Sequence, residues 1–219
     1  YTTSDLLGTD GDYYGSTTPD ANYYKETLTS VNTYCWNYKA TNKAINTWST
    51  TLLNKTNLNT NFINNIGTEW AKKIAVITWK VGGNTYAKII ETIPSVAYQN
   101  EIVSPVTTNS TDNATEYQAK IGLMYVSDYG FAASPESWTT IMNFYSNVRN
   151  NNWMHMGVWE WTLSRVADDS ADAFTVFNFG NVRGGSVGNG YGVRPSFNLE
   201  PSITYKSGSG TQSDPIIIN

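Results

Sequence analysis

Charge is scarce in this chain. Only 15% of its 219 residues are Asp, Glu, Lys or Arg, against about a quarter in ordinary globular domains. The 14 basic side chains are outnumbered by 18 acidic ones, the net charge is −4, and no Lys/Arg run occurs. A nucleic-acid binder needs a basic stripe to displace counterions, so nucleic acid is not an expected partner. An anionic membrane surface is disfavoured for the same reason. Apolar runs are short, and none approaches the roughly 18 residues of a membrane-spanning helix, so no membrane insertion is expected. Cysteine and histidine occur once each, as Cys35 and His155. A single cysteine forms no internal disulfide, and Cys35, set among aromatics in "TYCWNY", reads as a buried structural thiol. One histidine cannot build a multi-histidine metal site, and His155 reads as a packing or surface residue. The GxSxG, P-loop, HExxH, CxxC and dinucleotide patterns are also missing. Composition alone therefore points to a soluble, non-enzymatic domain.

What the chain does have is bulk. It is 40% hydrophobic and 14% aromatic, enough for a substantial core, and its polar surface must come from Asn, Thr, Ser and Tyr. The chain opens on Tyr1 rather than Met, as a fragment or a processed product would. Residues 1–27 lack a period and read as a loop or extended arm. Ile45, Trp48, Leu52 and Leu53 fall at helical spacing, as do Leu58, Phe62, Ile63 and Ile66 before Gly67; two short helices with Asn-rich outer faces are expected. "AKKIAVITWKVGGNTYAKIIETI" alternates around Gly82-Gly83-Asn84, a hairpin signal. Residues 107–115 form a polar loop. "AKIGLMYVSDYGFA" reads as a strand buried on both faces. "SPESWTTIMNFYSNV" starts a helix with Ser134 as cap and Pro135 in the first turn. Strand-like pieces follow at Trp159–Val166, Ala173–Phe179 and Val193–Leu199, and the tail pairs a Gly/Ser turn with a terminal Ile strand. Helices followed by short strands indicate α+β, a mainly antiparallel, twisted sheet with short helices packed on it. The expected division is an N-terminal arm over residues 1–27, a domain over 28–200 and a C-terminal strand or tail over 201–219.

Candidate sites are few. Asp168, Asp169 and Asp172 cluster in a loop beside Arg165 and read either as a calcium loop or as a solvated turn; calcium needs six to eight oxygens, which the loop does not supply at fixed spacing. Asp10 and Asp20 around "GDYYG" read the same way. Gly184-Gly185 has neither a following helix nor a lysine, and so reads as a turn rather than a phosphate cradle. The sequons at Asn54, Asn109 and Asn113 matter only in a eukaryotic secretory pathway.

One stretch stands apart. Between Val166 and Tyr191 the chain uses Val, Ala, Asp, Ser, Phe, Thr, Asn, Gly, Arg and Tyr, and none of Trp, Lys, Glu, Gln or Met, all of which occur elsewhere. The flanks, "GVWEWTLSR" (Gly157–Arg165) and "GVRPSFNL" (Gly192–Leu199), are by contrast rich in committed residues. These flanks resemble the G-N-V-W-E-W-T and G-F-R segments of the formylglycine-generating, or sulfatase-modifying-factor, branch of the C-type lectin fold. Enzymes of that branch depend on a C-terminal cysteine pair, and this chain has no cysteine after Cys35. The resemblance therefore implies the fold without the activity, and a formylglycine-type enzyme is only a remote alternative. The tripeptides of calcium-dependent sugar-binding lectins are missing as well.

A sharper resemblance is to the variable proteins of diversity-generating retroelements, which display a variable segment on this fold. Adenine-directed miscopying of AAY codons yields all the residue types found between Val166 and Tyr191, and cannot yield the five that are missing. The resemblance implies a hypervariable ligand-binding (receptor- or adhesin-like) domain whose variable segment spans about 160–199. Its permissive positions would be Val166, Ala167, Asp169, Asp172, Thr175, Phe177, Asn178, Phe179, Asn181, Arg183, Gly184, Gly185, Ser186, Gly188, Asn189, Gly190 and Tyr191. Trp161, Arg165, Phe174, Val176, Val193, Arg194 and Phe197 would be scaffold, with Ala173, Gly180, Val182 and Val187 as further inward or turn positions. If Phe174 and Val176 are core, strand parity exposes Phe177 and Phe179. The implied ligand is a protein or glycan on another cell or particle, and the implied location is extracellular, on a bacterial surface or a phage virion. No cofactor is expected beyond the calcium that Asp168, Asp169 and Asp172 could hold. A fixed-sequence surface adhesin or cell-wall module of the same fold is the alternative.

Overall fold

The run "EWTLSRV", rich in residues that favour a pleated and packed surface, forms the longest strand of the described residues and lies at the centre of the molecule. The computed structural model describes residues 3–9, 33–37, 45–85, 91–106 and 114–219. In chain order its strands are β1 Tyr34–Cys35, β2 Ile77–Lys80, β3 Gly83–Asn84, β4 Glu116–Ala119, β5 Ile121–Gly122, β6 Glu160–Val166, β7 Asp172–Val176, β8 Val182–Ser186, β9 Gly190–Tyr191, β10 Ser196–Phe197, β11 Tyr205–Ser207 and β12 Ile217–Ile218. Strands β3-β6-β7-β8 form a four-stranded sheet, parallel at β3–β6 and antiparallel elsewhere. Two-stranded antiparallel pairs join β1 to β9, β5 to β10, β2 to β4 and β11 to β12. With its short helices, the architecture is α+β with mainly antiparallel pairing.

The central sheet is covered on both faces. Trp161, Leu163 and Ala173 belong to one apolar cluster with Trp36, Trp48 and Leu58. Val166, Phe174, Val176 and Val182 belong to a second, with Tyr129, Met142 and Tyr145. Ala173 and Phe174 are successive residues of one strand and so point to opposite faces. Every residue of β6 is buried.

Several expected elements come out differently. Among the described residues no hairpin is seen at Gly82-Gly83-Asn84: β2 pairs with β4, while Gly83–Asn84 runs parallel to Arg165–Val166. A Cβ on Gly83 would lie 1.8 Å from the Arg165 carbonyl oxygen, so glycine here serves a close strand approach and not a turn. "AKIGLMYVSDYGFA" takes the end of β4 at Ala119 and the short strand Ile121–Gly122, and then becomes the helix Val126–Phe131. That helix is started by Asp128, whose carboxylate accepts the Tyr125 N–H at 2.8 Å. "SPESWTTIMNFYSNV" splits into two 3-10 helices, Pro135–Ser137 and Met142–Asn147. Only Ser196–Phe197 of the Val193–Leu199 piece is a strand.

The expected asparagine faces also turn inward. Over Leu53–Phe62 the helix is wide (π-type), and Asn54 and Asn57 are buried. Asn57 and Asn61 donate to the Leu7 carbonyl at 2.8 and 2.9 Å, and Asn59 donates to the Ile121 carbonyl at 3.0 Å. The first of these contacts fastens the helix Thr3–Leu7, whose Leu7 is buried; this part of the expected arm is packed structure. Asp10, Asp20, Asn109, Asn113 and most of residues 1–27 lie outside the described residues. The terminal hairpin pairs as expected, Tyr205 opposite Ile218.

Candidate functional site

The two flanks of the permissive segment are locked to each other. Arg194 Nε donates to Glu160 Oε1 at 2.6 Å and its Nη2 to Oε2 at 2.5 Å, a two-point fork that matches guanidinium to carboxylate. The same Nη2 donates to the Met154 carbonyl at 2.7 Å. Backbone bonds repeat the closure: Trp161 N–H reaches Gly192 O at 2.9 Å, and Gly192 N–H reaches Trp159 O at 2.8 Å. Between these clamps β6, β7 and β8 form one meander. Its first turn is held by the buried Asn46, whose Nδ2 lies within 2.7–2.9 Å of the Val166, Asp169 and Asp172 carbonyls. Its second turn, Phe177–Asn181, closes through Phe177 N–H to Asn181 O at 2.9 Å and Gly180 N–H to Phe177 O at 2.7 Å. Gly180 has φ of +92°, a conformation that suits only glycine without strain, and Tyr129 OH donates to its carbonyl at 2.8 Å.

Not all of the expected permissive positions reach the surface. Val166, Ala167, Thr175, Asn181, Gly185 and Gly188 are buried. Within β7 the physical reason is that an apolar cluster covers each face, so strand parity buries Ala173, Phe174, Thr175 and Val176 alike. Thr175 instead turns its hydroxyl to the Glu160 carbonyl at 2.6 Å. Gly184 and Gly185 lie within β8, opposite Phe174 and Ala173, and are neither turn nor cradle. A Cβ on Gly185 would approach the Tyr191 ring at 3.1 Å. Asp169, Phe179 and Arg183 are exposed; Asp172, Phe177, Asn178, Gly184, Ser186, Asn189, Gly190 and Tyr191 are half-buried. Phe179, at 60% exposure, projects from the second turn. Of the scaffold residues, Trp161, Arg165, Phe174 and Val176 are buried and Val193 packs partly against the first cluster. Phe197 departs from expectation. It is 40% exposed on the edge pair β5–β10 and leans on Phe62.

Two of the half-buried members, Phe177 and Tyr191, join an aromatic stack. Phe177 lies 3.7 Å, centroid to centroid, from Trp159; Trp159 lies 5.0 Å from Tyr191, and Tyr191 lies 4.6 Å from the buried Trp161. The Arg183 guanidinium stands 5.6 Å over the Phe177 ring. Beside the stack opens a cleft of about 380 Å³, lined by Thr33, Gly157–Trp159, Asn178 and Gly190–Gly192, a size that suits a small group. Burial raises the Tyr191 hydroxyl above its ordinary pKa, countered in part by Asn189 Nδ2 donating to it at 3.0 Å. Val158 and Trp159 were absent from the expected site. The signal was present in "NNWMHMGVW", where Trp153, Met156 and Val158 all prove exposed. Of these, Val158 lines the cleft.

The acidic loop gathers no such site. Asp168 and Asp169 are exposed, Asp169 Oδ1 accepts the Ala171 N–H at 2.9 Å, and burial followed by the Asp169 charge raises the Asp172 pKa. Among the described residues no three acidic, histidine or cysteine side chains are placed to hold a metal ion. Cys35 is buried and its thiol donates to Gly188 O at 3.0 Å, the structural role its aromatic setting suggested. Among the described residues no helix is long and apolar enough to cross a membrane. Comparison with protein-family models, characterised proteins and solved structures finds no match.

Proposed function

We propose that this chain is a non-enzymatic, ligand-binding domain of C-type lectin-like fold whose binding surface is diversified by a retroelement through adenine-directed codon changes. The carrying observation is the contrast within one segment. Its ends are bound to each other by the Glu160–Arg194 fork, its backbone is paired across β6, β7 and β8, and four of its exposed or half-buried positions, Phe177, Asn178, Gly190 and Tyr191, meet at the aromatic stack and cleft. Such a scaffold tolerates side-chain exchange because backbone bonds, not side chains, hold its shape. It also loses little conformational freedom on binding. Rings supply contact area while Asn and Ser supply adaptable hydrogen bonds, the chemistry of antibody loops. The ligand is a protein or glycan on another cell or particle, met by a domain displayed on a bacterial surface or phage virion.

The test is genetic. The DNA beside the gene should hold a near-copy of the codons for residues 160–200 and a reverse-transcriptase gene. Sequences from many isolates should vary at Phe177, Asn178, Phe179, Arg183, Ser186, Asn189 and Tyr191, and remain constant at the buried Val166, Ala167 and Thr175. A gene with neither neighbour, and with one sequence in every isolate, is a fixed adhesin of the same fold.

A further inference from the structure

One guanidinium and four rings stand in file from surface to core: Arg183, Phe177, Trp159, Tyr191 and Trp161. Three of them, Arg183, Phe177 and Tyr191, belong to the permissive segment, and the first two stand at the outer end. Trp159 belongs to the committed flank and borders the open cleft together with Tyr191. At 3.7 Å the Phe177 ring covers one face of the Trp159 indole, which leaves its other face to the Arg183 guanidinium. Phe177 sits where β7 has ended, in a turn whose backbone is held by Gly180, Asn181 and Tyr129. Its side chain is therefore not needed to hold the turn together.

We propose that Trp159 and Arg183 form a slot for one aromatic ring, that Phe177 fills this slot from within, and that the residue at position 177 decides whether it is closed or open to an aromatic side chain of a partner protein. The occupant's chemistry is read from the one already seated there. An aromatic ring stacks on the indole through offset faces and also offers its negative face to the guanidinium. A saccharide ring could cover the indole but has no π face for Arg183, so the slot favours the aromatic group. The neighbouring cleft gives the entry path. The slot is a property of the geometry; it rests on the preceding reading only in treating position 177 as one that changes.

The test uses p-cresol, the side-chain analogue of tyrosine, with methyl β-glucoside as the saccharide probe. Each is titrated into the wild-type chain, Phe177→Ala and Phe177→Ala/Arg183→Gln, following the indole N–H resonance of Trp159 and the melting temperature, with circular dichroism to confirm the fold. Phe177→Ala should bind p-cresol saturably, with a melting temperature that rises with p-cresol concentration, while the wild type gives no saturable response. The double variant should bind roughly two- to fivefold more weakly, and the glucoside should not bind. Should the alanine variant fail to fold, Phe177→Val, which leaves most of the ring's space empty, takes its place in the same titration. A folded variant that ignores p-cresol, a wild type that binds it as tightly, or equal binding of the glucoside overturns the slot. A missing reverse transcriptase with p-cresol binding intact would sink only the diversified reading.

Discussion

At the scale of single residues, two buried carboxylates do different work. Glu160 is nearly sealed from water, its side chain 5% exposed, and Arg194 is its partner. Removing one member of a buried pair strands the other charge, at a cost of about 3–5 kcal/mol. Arg194→Ala should therefore lower the urea-unfolding free energy by that order, and Arg194→Ala/Glu160→Gln should recover much of the loss. Glu101 is buried and forms no ion pair among the described residues. Its oxygens accept the Ser164 hydroxyl and, at 3.0 Å, the Ser127 N–H. Burial pushes its pKa up to about 7, against the lowering effect of these hydrogen bonds. A carboxyl whose folded pKa exceeds its unfolded value binds more protons when folded. Its stabilisation is thus complete below the unfolded value of 4.5 and is lost as pH rises through 7. Between pH 4.5 and 8 this removes about 3 kcal/mol. Glu101→Gln should flatten that part of the profile, measured as the difference from wild type in unfolding free energy at pH 5 and pH 8. Equal slopes for the two proteins would mean that Glu101 stays ionised in the fold.

At the scale of elements, the second turn of the meander is the piece on which the proposed ligand contact depends. Its left-handed glycine is pressed against its neighbours, since a Cβ on Gly180 would lie 2.8 Å from the Arg149 Cβ. Gly180→Ala combines positive-φ strain with that contact and should cost about 1–3 kcal/mol. Tyr129→Phe leaves the buried Gly180 carbonyl without its donor and should cost about 1–2 kcal/mol. Phe179→Ala, at an exposed tip, should stay within about 0.5 kcal/mol of wild type. Thermal unfolding of the three variants checks the order, and a large loss for Phe179→Ala would place that ring in the core. The elements also show where one-dimensional pattern fails. The Gly82-Gly83-Asn84 signal was read as a turn, yet glycine equally serves close approach of backbones, and the parallel partner at Arg165 is far away in sequence. The asparagines of Leu53–Phe62 looked solvated because their hydrogen-bond partners, Leu7 and Ile121, come from distant segments.

At the scale of the molecule, the central sheet divides two cores while the C-terminal hairpin stands almost clear of both. Nearly every residue from Thr204 to Asn219 is exposed, with a few bonds inward such as Lys73 Nζ to the Asn219 carbonyl. Deleting residues 204–219 should shift the melting temperature by only a few degrees and leave one cooperative transition; loss of that transition would make the hairpin part of the fold. The sequence by itself determined the α+β class, a strand over about Trp159–Val166, the buried thiol of Cys35, and the limits of a segment with committed flanks and an open interior. These are local quantities, carried by residue type, period and composition. Only the tertiary structure decided which positions of that segment meet solvent. Burial of Val166 depends on the second core with Tyr129, Met142 and Tyr145, and Thr175 is covered on the opposite face, where Trp161 of the first core lies across from it, so no alternation within β7 could announce either. It alone also brought Trp159 and Tyr191 together beside Phe177, because stacking needs rings to converge in space while the chain places them on three separate elements.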